Sequence, residues 1–168
     1  MSSKPPFQES NALPGFDFNV VGDTNLDLLL YGLAEELPTE QELIADGMAL
    51  QLGGSGAITA HNLAALGNSV GFVSLMAHDE LGHLCRQELV APNVDLSRCV
   101  HHANAQTGVT VLLQHELRRH MFTYAGATFD LQACDLDIDY LSRARHFHLS
   151  SYYLQRDSRR TSPSYWRT

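Results

Sequence analysis

The stretch Phe18-Asn19-Val20-Val21-Gly22-Asp23-Thr24-Asn25-Leu26-Asp27 decides the fold, because it joins a short apolar run to a glycine and then to polar residues. A short apolar run that ends at glycine is typical of a buried strand. In an open parallel sheet, ligands bind beyond the carboxyl ends of the strands. The segment therefore predicts a first strand followed by a ligand-binding turn, in which Asp27 accepts hydrogen bonds and Asn25 both donates and accepts them. A polar turn whose side chains bond only their own backbone is the alternative.

The glycine cluster Gly53-Gly54-Ser55-Gly56 precedes an Ala- and Leu-rich segment, 57–67, that ends at a glycine as helices do. Backbone amides at such a helix start can bind an anion or hydroxyl groups at close approach. The cluster matches neither the phosphate-binding pattern that continues Gly-Lys-Ser/Thr nor Gly-x-Gly-x-x-Gly. A tight turn that lets the helix pack on a sheet explains it equally.

The remaining pattern alternates strands and helices, which predicts an α/β fold with a parallel sheet flanked by helices. The elements expected along the chain are an apolar stretch 26–31, a strand pair within 43–52, a strand 70–75, a helix 80–90 after Asp79, a hairpin of 108–113 and 120–124, a helix 135–144 and a buried strand 146–149. The hairpin breaks the alternation, so we expect a small β appendage. Thr107-Gly108-Val109-Thr110 and Ala125-Gly126-Ala127 flank it, and a flap there could cover a pocket, although a plain surface hairpin has the same pattern.

Composition limits the partners. The 168 residues are 44% hydrophobic and carry a formal net charge of -8, which argues against nucleic acid and anionic membranes as partners. No apolar run is long enough to span a bilayer. Three widely spaced cysteines without a Cys-x-x-Cys pair favour a reducing, cytoplasmic setting.

Residues 1–16 are expected to be a flexible leader. Residues 156–168, with four arginines and one aspartate, are expected to be a disordered basic tail.

Nine histidines raise the question of a metal site. His146 and His148 lie two apart on an expected strand and so face the same side. A zinc site needs three or four convergent ligands, and the sequence supplies no further ligand at suitable spacing. No metal site is therefore assigned, and an unrelated small α/β enzyme with a histidine or metal centre stays as a separate hypothesis.

Taken in order, these pieces resemble the N-terminal half of the ribokinase-like (PfkB-type) carbohydrate kinases over residues 17–155. The stretches that carry the resemblance are 20–27, 53–67, 74–82, 107–111, 125–127 and 146–155. The resemblance implies a partial ribokinase-like fold: a parallel sheet flanked by helices, with a small β-sheet lid.

The resemblance also implies which residues contact the sugar. The family's Asn-x-Asp after the first strand corresponds to Asn25 and Asp27, and its Gly-Gly segment corresponds to Gly53 and Gly54, followed by Ser55. Where the family helix usually carries an asparagine, this chain has Ile58. Ala77 stands where many members have glycine.

The activity implied by the resemblance is transfer of the γ-phosphate of ATP, with Mg²⁺, to a sugar hydroxyl. The family's second signature, a Gly-Ala-Gly-Asp segment whose aspartate is the catalytic base, is absent from the sequence, so no catalytic residue, ATP site or Mg²⁺ site is assigned. We therefore expect a truncated kinase in which sugar binding persists and turnover does not. The alternative is a non-catalytic, regulatory fragment that pairs with an intact relative. Family lids often form dimer contacts, so a homodimer through the lid is also expected.

Overall fold

The computed structural model describes residues 15–34, 36, 38, 40–115 and 118–154. Most of the predicted leader and all of the predicted tail 156–168 lie outside these residues. Phe16, at the end of the predicted leader, packs against Tyr140 with ring centroids 5.3 Å apart, so the packed core reaches residue 16. Within the described residues, no helix is long and apolar enough to cross a membrane.

The described strands and helices follow one another along the chain in a mixed α/β order. They are β1 (Phe18–Val21), β2 (Asn25–Tyr31), β3 (Gly47–Gly53), α1 (Ser55–Ala65), β4 (Val70–Val73), α2 (Glu80–Val90), β5 (Gly108–Gln114), β6 (Arg119–Tyr124), α3 (Ile138–Leu141) and β7 (His146–Leu149). Short 3-10 turns lie at Ala133–Asp135 and Tyr152–Leu154.

The central sheet is parallel, with strand order β4-β1-β7. Successive side chains of β1 point to opposite faces, and both faces are covered. Val20 joins a core with α1 and α2, whereas Val21 joins a second core that contains Tyr140 and Leu141. The apolar run 18–21 is therefore the buried first strand that the sequence predicted.

The second sheet, which we call the lid sheet, contains four strands in the order β3-β2-β5-β6. Strand β2 runs antiparallel to β3 and parallel to β5, and β5 and β6 form the predicted hairpin. The predicted strand pair within 43–52 is wrong, because this segment holds the single strand β3. The backbone amide of Asp46 donates to Tyr31 O at 2.9 Å, which closes the β2–β3 connection before β3 begins.

Both long helices begin and end close to the predicted residues. Helix α2 spans Glu80–Val90 because the Asp79 carboxylate accepts from Gly82 N at 2.8 Å and caps its first turn. Helix α1 ends at Ala65, and Gly67 follows in the left-handed region at φ 91°, where glycine costs least.

Two predictions near the end of the described chain are wrong in part. The predicted helix 135–144 is only the four-residue α3, because Asp137 caps it at Tyr140 N (3.0 Å) and the backbone of Arg145 then bonds Phe16 O at 2.9 Å to start β7. Strand β7 exists as predicted, but all four of its residues are exposed rather than buried. It forms an edge of the central sheet within the described residues, so only β1 flanks it.

Candidate functional site

The predicted sugar contacts meet where the central sheet joins the lid sheet. Asn25 begins β2 and is paired with Gly53 of β3 and Gly108 of β5. The Asn25 amide nitrogen Nδ2 donates to Asp27 Oδ1 at 2.9 Å and to Thr110 Oγ1 at 3.2 Å. Asn25 is buried and Asp27 half-buried, so the pair presents an oriented and partly exposed carboxylate.

Gly53 is required by this pair. A Cβ on Gly53 would lie 2.7 Å from Asp27 Cγ and 2.8 Å from Asn25 Nδ2, closer than real Cβ atoms approach. Gly54 is also required, since its φ of 87° is in the left-handed region and a Cβ there would lie 2.7 Å from Asp23 O. The two predicted glycines thus leave room for the Asn25 and Asp27 side chains, which places all four residues in one cluster.

Burial raises the pKa of Asp27 above its ordinary value of 3.8. Hydrogen bonds from Asn25 and Thr110 act in the opposite direction, and the nearby charge of Asp23 adds to the increase. As the pH falls, Asp27 therefore takes up a proton before a solvent-exposed aspartate does. The protonated carboxyl group then no longer accepts two hydroxyl hydrogen bonds.

Asp23 has a structural function that the sequence reasoning missed. Its carboxylate accepts from the backbone amides of Ser55 (3.2 Å) and Gly56 (3.0 Å), and from the Ser55 hydroxyl (3.0 Å). The Ser151 hydroxyl, which follows β7, donates to the same carboxylate at 2.6 Å. Asp23 therefore joins the end of β1 to the start of α1 and to the end of β7.

This arrangement corrects the anion-site interpretation of the glycine cluster. The amides of Ser55 and Gly56 bond the Asp23 carboxylate, and the Ala57 amide donates to Asp23 O at 3.1 Å. A carboxylate of the chain thus occupies the position that an anion would take at the start of α1. Ser55 faces Asp23, Ser150 and Ser151 through its hydroxyl, at 2.6 Å from Ser150 Oγ.

Ile58 lies in the first turn of α1, with its backbone amide bonded to Gly54 O at 2.9 Å, and its side chain is 40% exposed. Asn62, one turn further along, is also exposed. An aliphatic side chain at this position offers a sugar only van der Waals contact, because it has no donor or acceptor.

A small open cleft with a volume of about 10 Å³, room for about one water molecule, lies beside the cluster. Its lining residues come from the ends of β4, α2 and the lid hairpin: Thr24, Leu75, Met76, Ala77, Gly82, Thr107, Gly108 and Ala127. Asp79 fixes the lid to this cleft, because it accepts from the Thr107 backbone amide at 2.7 Å and the Thr107 hydroxyl at 2.5 Å. These bonds hold the pKa of the Asp79 carboxyl below its usual value in spite of its burial.

Four of the nine histidines form two pairs. His115 Nε2 lies 2.9 Å from His120 Nδ1, and the rings of His78 and His101 stack with centroids 4.2 Å apart. Among the residues that the structure describes, no group of three or more His, Cys, Asp and Glu side chains is arranged to hold a metal ion.

Known carbohydrate kinases are similar to this chain in sequence and in structure. Fructokinase-2 from Zea mays is 34% identical over 105 residues, which are 61% of this chain and 31% of that protein. The structure of the Halothermothrix orenii fructokinase has a TM-score of 0.71 at 23% identity and covers 86% of this chain and 50% of its own. A sugar kinase from Pyrococcus horikoshii in complex with ATP has a TM-score of 0.70 at 22% identity and covers 86% and 47%.

The chain therefore spans about a third of the length of the maize relative and about half of the two solved chains. The two structures show a ribokinase-like α/β fold, covered in part. The family model described as pfkB family carbohydrate kinase matches residues 17–163. The order of motifs from Asn25 to the lid hairpin agrees with that match, and the chain belongs to the pfkB family of carbohydrate kinases.

Proposed function

We propose that this chain binds a sugar through Asn25 and Asp27, as the sugar-binding part of an ATP-dependent carbohydrate kinase. The observation that carries the proposal is the half-buried Asp27 carboxylate, oriented by Asn25 in space that Gly53 leaves open. A carboxylate held in this way accepts two hydroxyl hydrogen bonds, and hydrogen bonds to a charged group are stronger than neutral ones. Gly54, Ser55 and Ile58 lie at the adjacent start of α1 and complete the predicted contacts.

Sugar binding, rather than turnover, is the activity proposed for these 168 residues, and residues 17–155 are the proposed sugar-binding half with its lid. Transfer of a phosphoryl group requires a base and donors that stabilise the charge of the phosphoryl group. The sequence contains no Gly-Ala-Gly-Asp segment, and the amides at the start of α1 are bonded to Asp23. We therefore assign no ATP or Mg²⁺ site within the described residues, although the Pyrococcus relative is an ATP complex.

Calorimetric titration with a panel of ketoses and aldoses, including fructose and ribose, tests the proposal. In an Asp27→Ala variant the affinity for the best sugar falls about 30-fold, the effect of about 2 kcal/mol for a hydrogen bond to a charged group. Glu88→Ala is the matched control, because it removes an exposed carboxylate that belongs to α2. We expect it to leave the sugar affinity unchanged.

Equal affinity in the wild type and Asp27→Ala would remove Asp27 from the sugar site. Loss of binding in both Asp27→Ala and Glu88→Ala would attribute the effect to net charge rather than to the site. The match to carbohydrate kinases supports this function over a regulatory fragment or an unrelated histidine-based enzyme.

The proposed partner beyond the sugar is a second copy of the chain, bound through the lid sheet. The face of the lid sheet opposite Asp27 carries exposed apolar side chains, namely Met48 (64% exposed), Leu50 (49%), Phe122 (57%) and Tyr124 (56%). A contiguous apolar face of this kind is typical of an interaction surface. Neither a nucleic acid nor a membrane is a proposed partner, and the cytoplasmic location stays a prediction.

Analytical ultracentrifugation measures this partner directly. The wild type sediments as a dimer, and Phe122→Glu sediments as a monomer because a charge would be buried in an apolar contact. Arg119→Glu, on the same strand at its exposed beginning, is the control that keeps the dimer. A monomeric wild type at micromolar concentration would contradict the homodimer.

A further inference from the structure

One polar row crosses the whole width of the lid sheet. Asp27 is directly opposite Gln51 of β3 on one side and Thr110 of β5 on the other, and Thr110 is directly opposite Thr123 of β6. Directly opposed residues of neighbouring strands project from the same face of a sheet. The side chains of Gln51, Asp27, Thr110 and Thr123 therefore share the face that carries the sugar-binding carboxylate.

Hydrogen bonds join Asn25 to Asp27 and to Thr110, and Thr110 lies within hydrogen-bond distance of Thr123. Thr110 Oγ1 lies 3.2 Å from Asn25 Nδ2 and 3.2 Å from Thr123 Oγ1, and Thr110 is buried at 6% exposure. A threonine hydroxyl has one proton to donate and two lone pairs with which to accept. Because Asn25 Nδ2 can only donate, it occupies one lone pair of Thr110 Oγ1.

Asn25 Nδ2 has two acceptors, Asp27 Oδ1 at 2.9 Å and Thr110 Oγ1 at 3.2 Å, which together fix the orientation of the amide. The Thr123 hydroxyl oxygen, at 3.2 Å from Thr110 Oγ1, limits the rotation of the Thr110 hydroxyl group. The contacts therefore run from Thr123 through Thr110 and Asn25 to Asp27. Burial raises the pKa of Asp27, and the side chains of Asn25 and Thr110 oppose this increase.

We infer that Thr110 is a positioning residue that holds the Asn25 amide, and through it Asp27, in the sugar-binding orientation, and that Thr123 limits the rotation of the Thr110 hydroxyl group. This inference rests on the proposed function, because the orientation of the Asp27 carboxylate affects affinity only if a sugar binds to it. It assigns a role to the lid strand β6, whose Thr123 contacts Thr110 rather than Asp27.

Carbon-13 NMR titration of the Asp27 side-chain carboxyl, without sugar, tests the positioning. In Thr110→Val, which keeps the shape and the strand preference of threonine, the pKa of Asp27 rises because Asn25, the donor to its carboxylate, loses the contact that orients its amide. Thr110→Ser restores the hydroxyl and the wild-type pKa, and Thr123→Val gives a smaller rise. Thr59→Ala, whose hydroxyl bonds Ser55 O at 2.7 Å within α1, is the control and leaves the pKa unchanged.

An Asp27 pKa that is the same in Thr110→Val and the wild type would overturn the inference, as would a rise that Thr110→Ser does not reverse. Calorimetry with the best sugar is the second readout, in which Thr110→Val weakens binding about fivefold, the effect of one neutral hydrogen bond of about 1 kcal/mol. If the pKa changes as expected but no variant and no wild type binds any sugar, the positioning stands and the proposed function fails.

Discussion

Replacing Gly56 with Ala lowers the free energy of unfolding by about 3 kcal/mol, the upper part of the range for overpacked positions. A Cβ on Gly56 would lie 2.8 Å from Gly22 Cα and 3.0 Å from Asp23 N. Both of these are backbone atoms, so no side-chain rotation can relieve the contact. Helix α1 must then move off the end of β1. Urea denaturation followed by circular dichroism measures the change.

Gly47→Ala is the matched control for Gly56→Ala. A Cβ on Gly47 meets Tyr31 Cδ2 at 3.7 Å, an ordinary van der Waals distance, in the regular strand β3. Reduced entropy of the unfolded chain makes this variant neutral or slightly more stable, by about 0.4–1 kcal/mol. If both variants lost the same stability, the close approach of α1 to β1 would not be the cause.

Replacing Asp23 with Ala lowers the free energy of unfolding by about 2–4 kcal/mol. The change removes the acceptor for the Ser55 and Gly56 amides. Gly54, the residue before the helix, has no side chain that could accept from them instead. It also breaks the bond from Ser151 that joins β7 to this point. Thermal unfolding and hydrogen exchange of the α1 amides both detect the loss.

Asp17→Ala is the control for Asp23→Ala, because it removes a similar set of bonds in solvent. The Asp17 carboxylate accepts from the Ser69 backbone amide (3.0 Å) and hydroxyl (2.8 Å), but water replaces these bonds when they break. A loss of stability in Asp17→Ala as large as that in Asp23→Ala would contradict the account of Asp23 as a buried structural carboxylate.

The elements with strong local patterns could be predicted from the sequence. The apolar run of β1, the Asp79 cap of α2 and the hairpin of β5 and β6 each depend on residues close together in the chain. The pairing of β2 with β5 could not be predicted, since it joins Asp27 to Thr110 across the sheet. A continuous apolar stretch such as 26–31 indicates a strand but not its neighbours.

The residues of the candidate site could be nominated only in part from the sequence. Asn25, Asp27, Gly53 and Gly54 were nominated from the family resemblance; the structure places them together, and their contact with a sugar stays a prediction. Asp23 was missed because helix caps are sought in the residue next to the helix, whereas this carboxylate comes from 32 residues upstream of Ser55. The exposed β7 was predicted as buried because apolar residues alone do not reveal whether a strand lies at an edge.

The central claim is that a sugar binds where Asn25 and Asp27 meet the start of α1. Amide chemical-shift mapping by NMR, with the best sugar added to saturation, measures the location directly. We expect the largest shifts at Asn25, Asp27, Gly53 and Thr110, with the amides of α2 near Val90 unaffected. Saturable shifts centred elsewhere, or no shifts with any sugar of the panel, would contradict the claim.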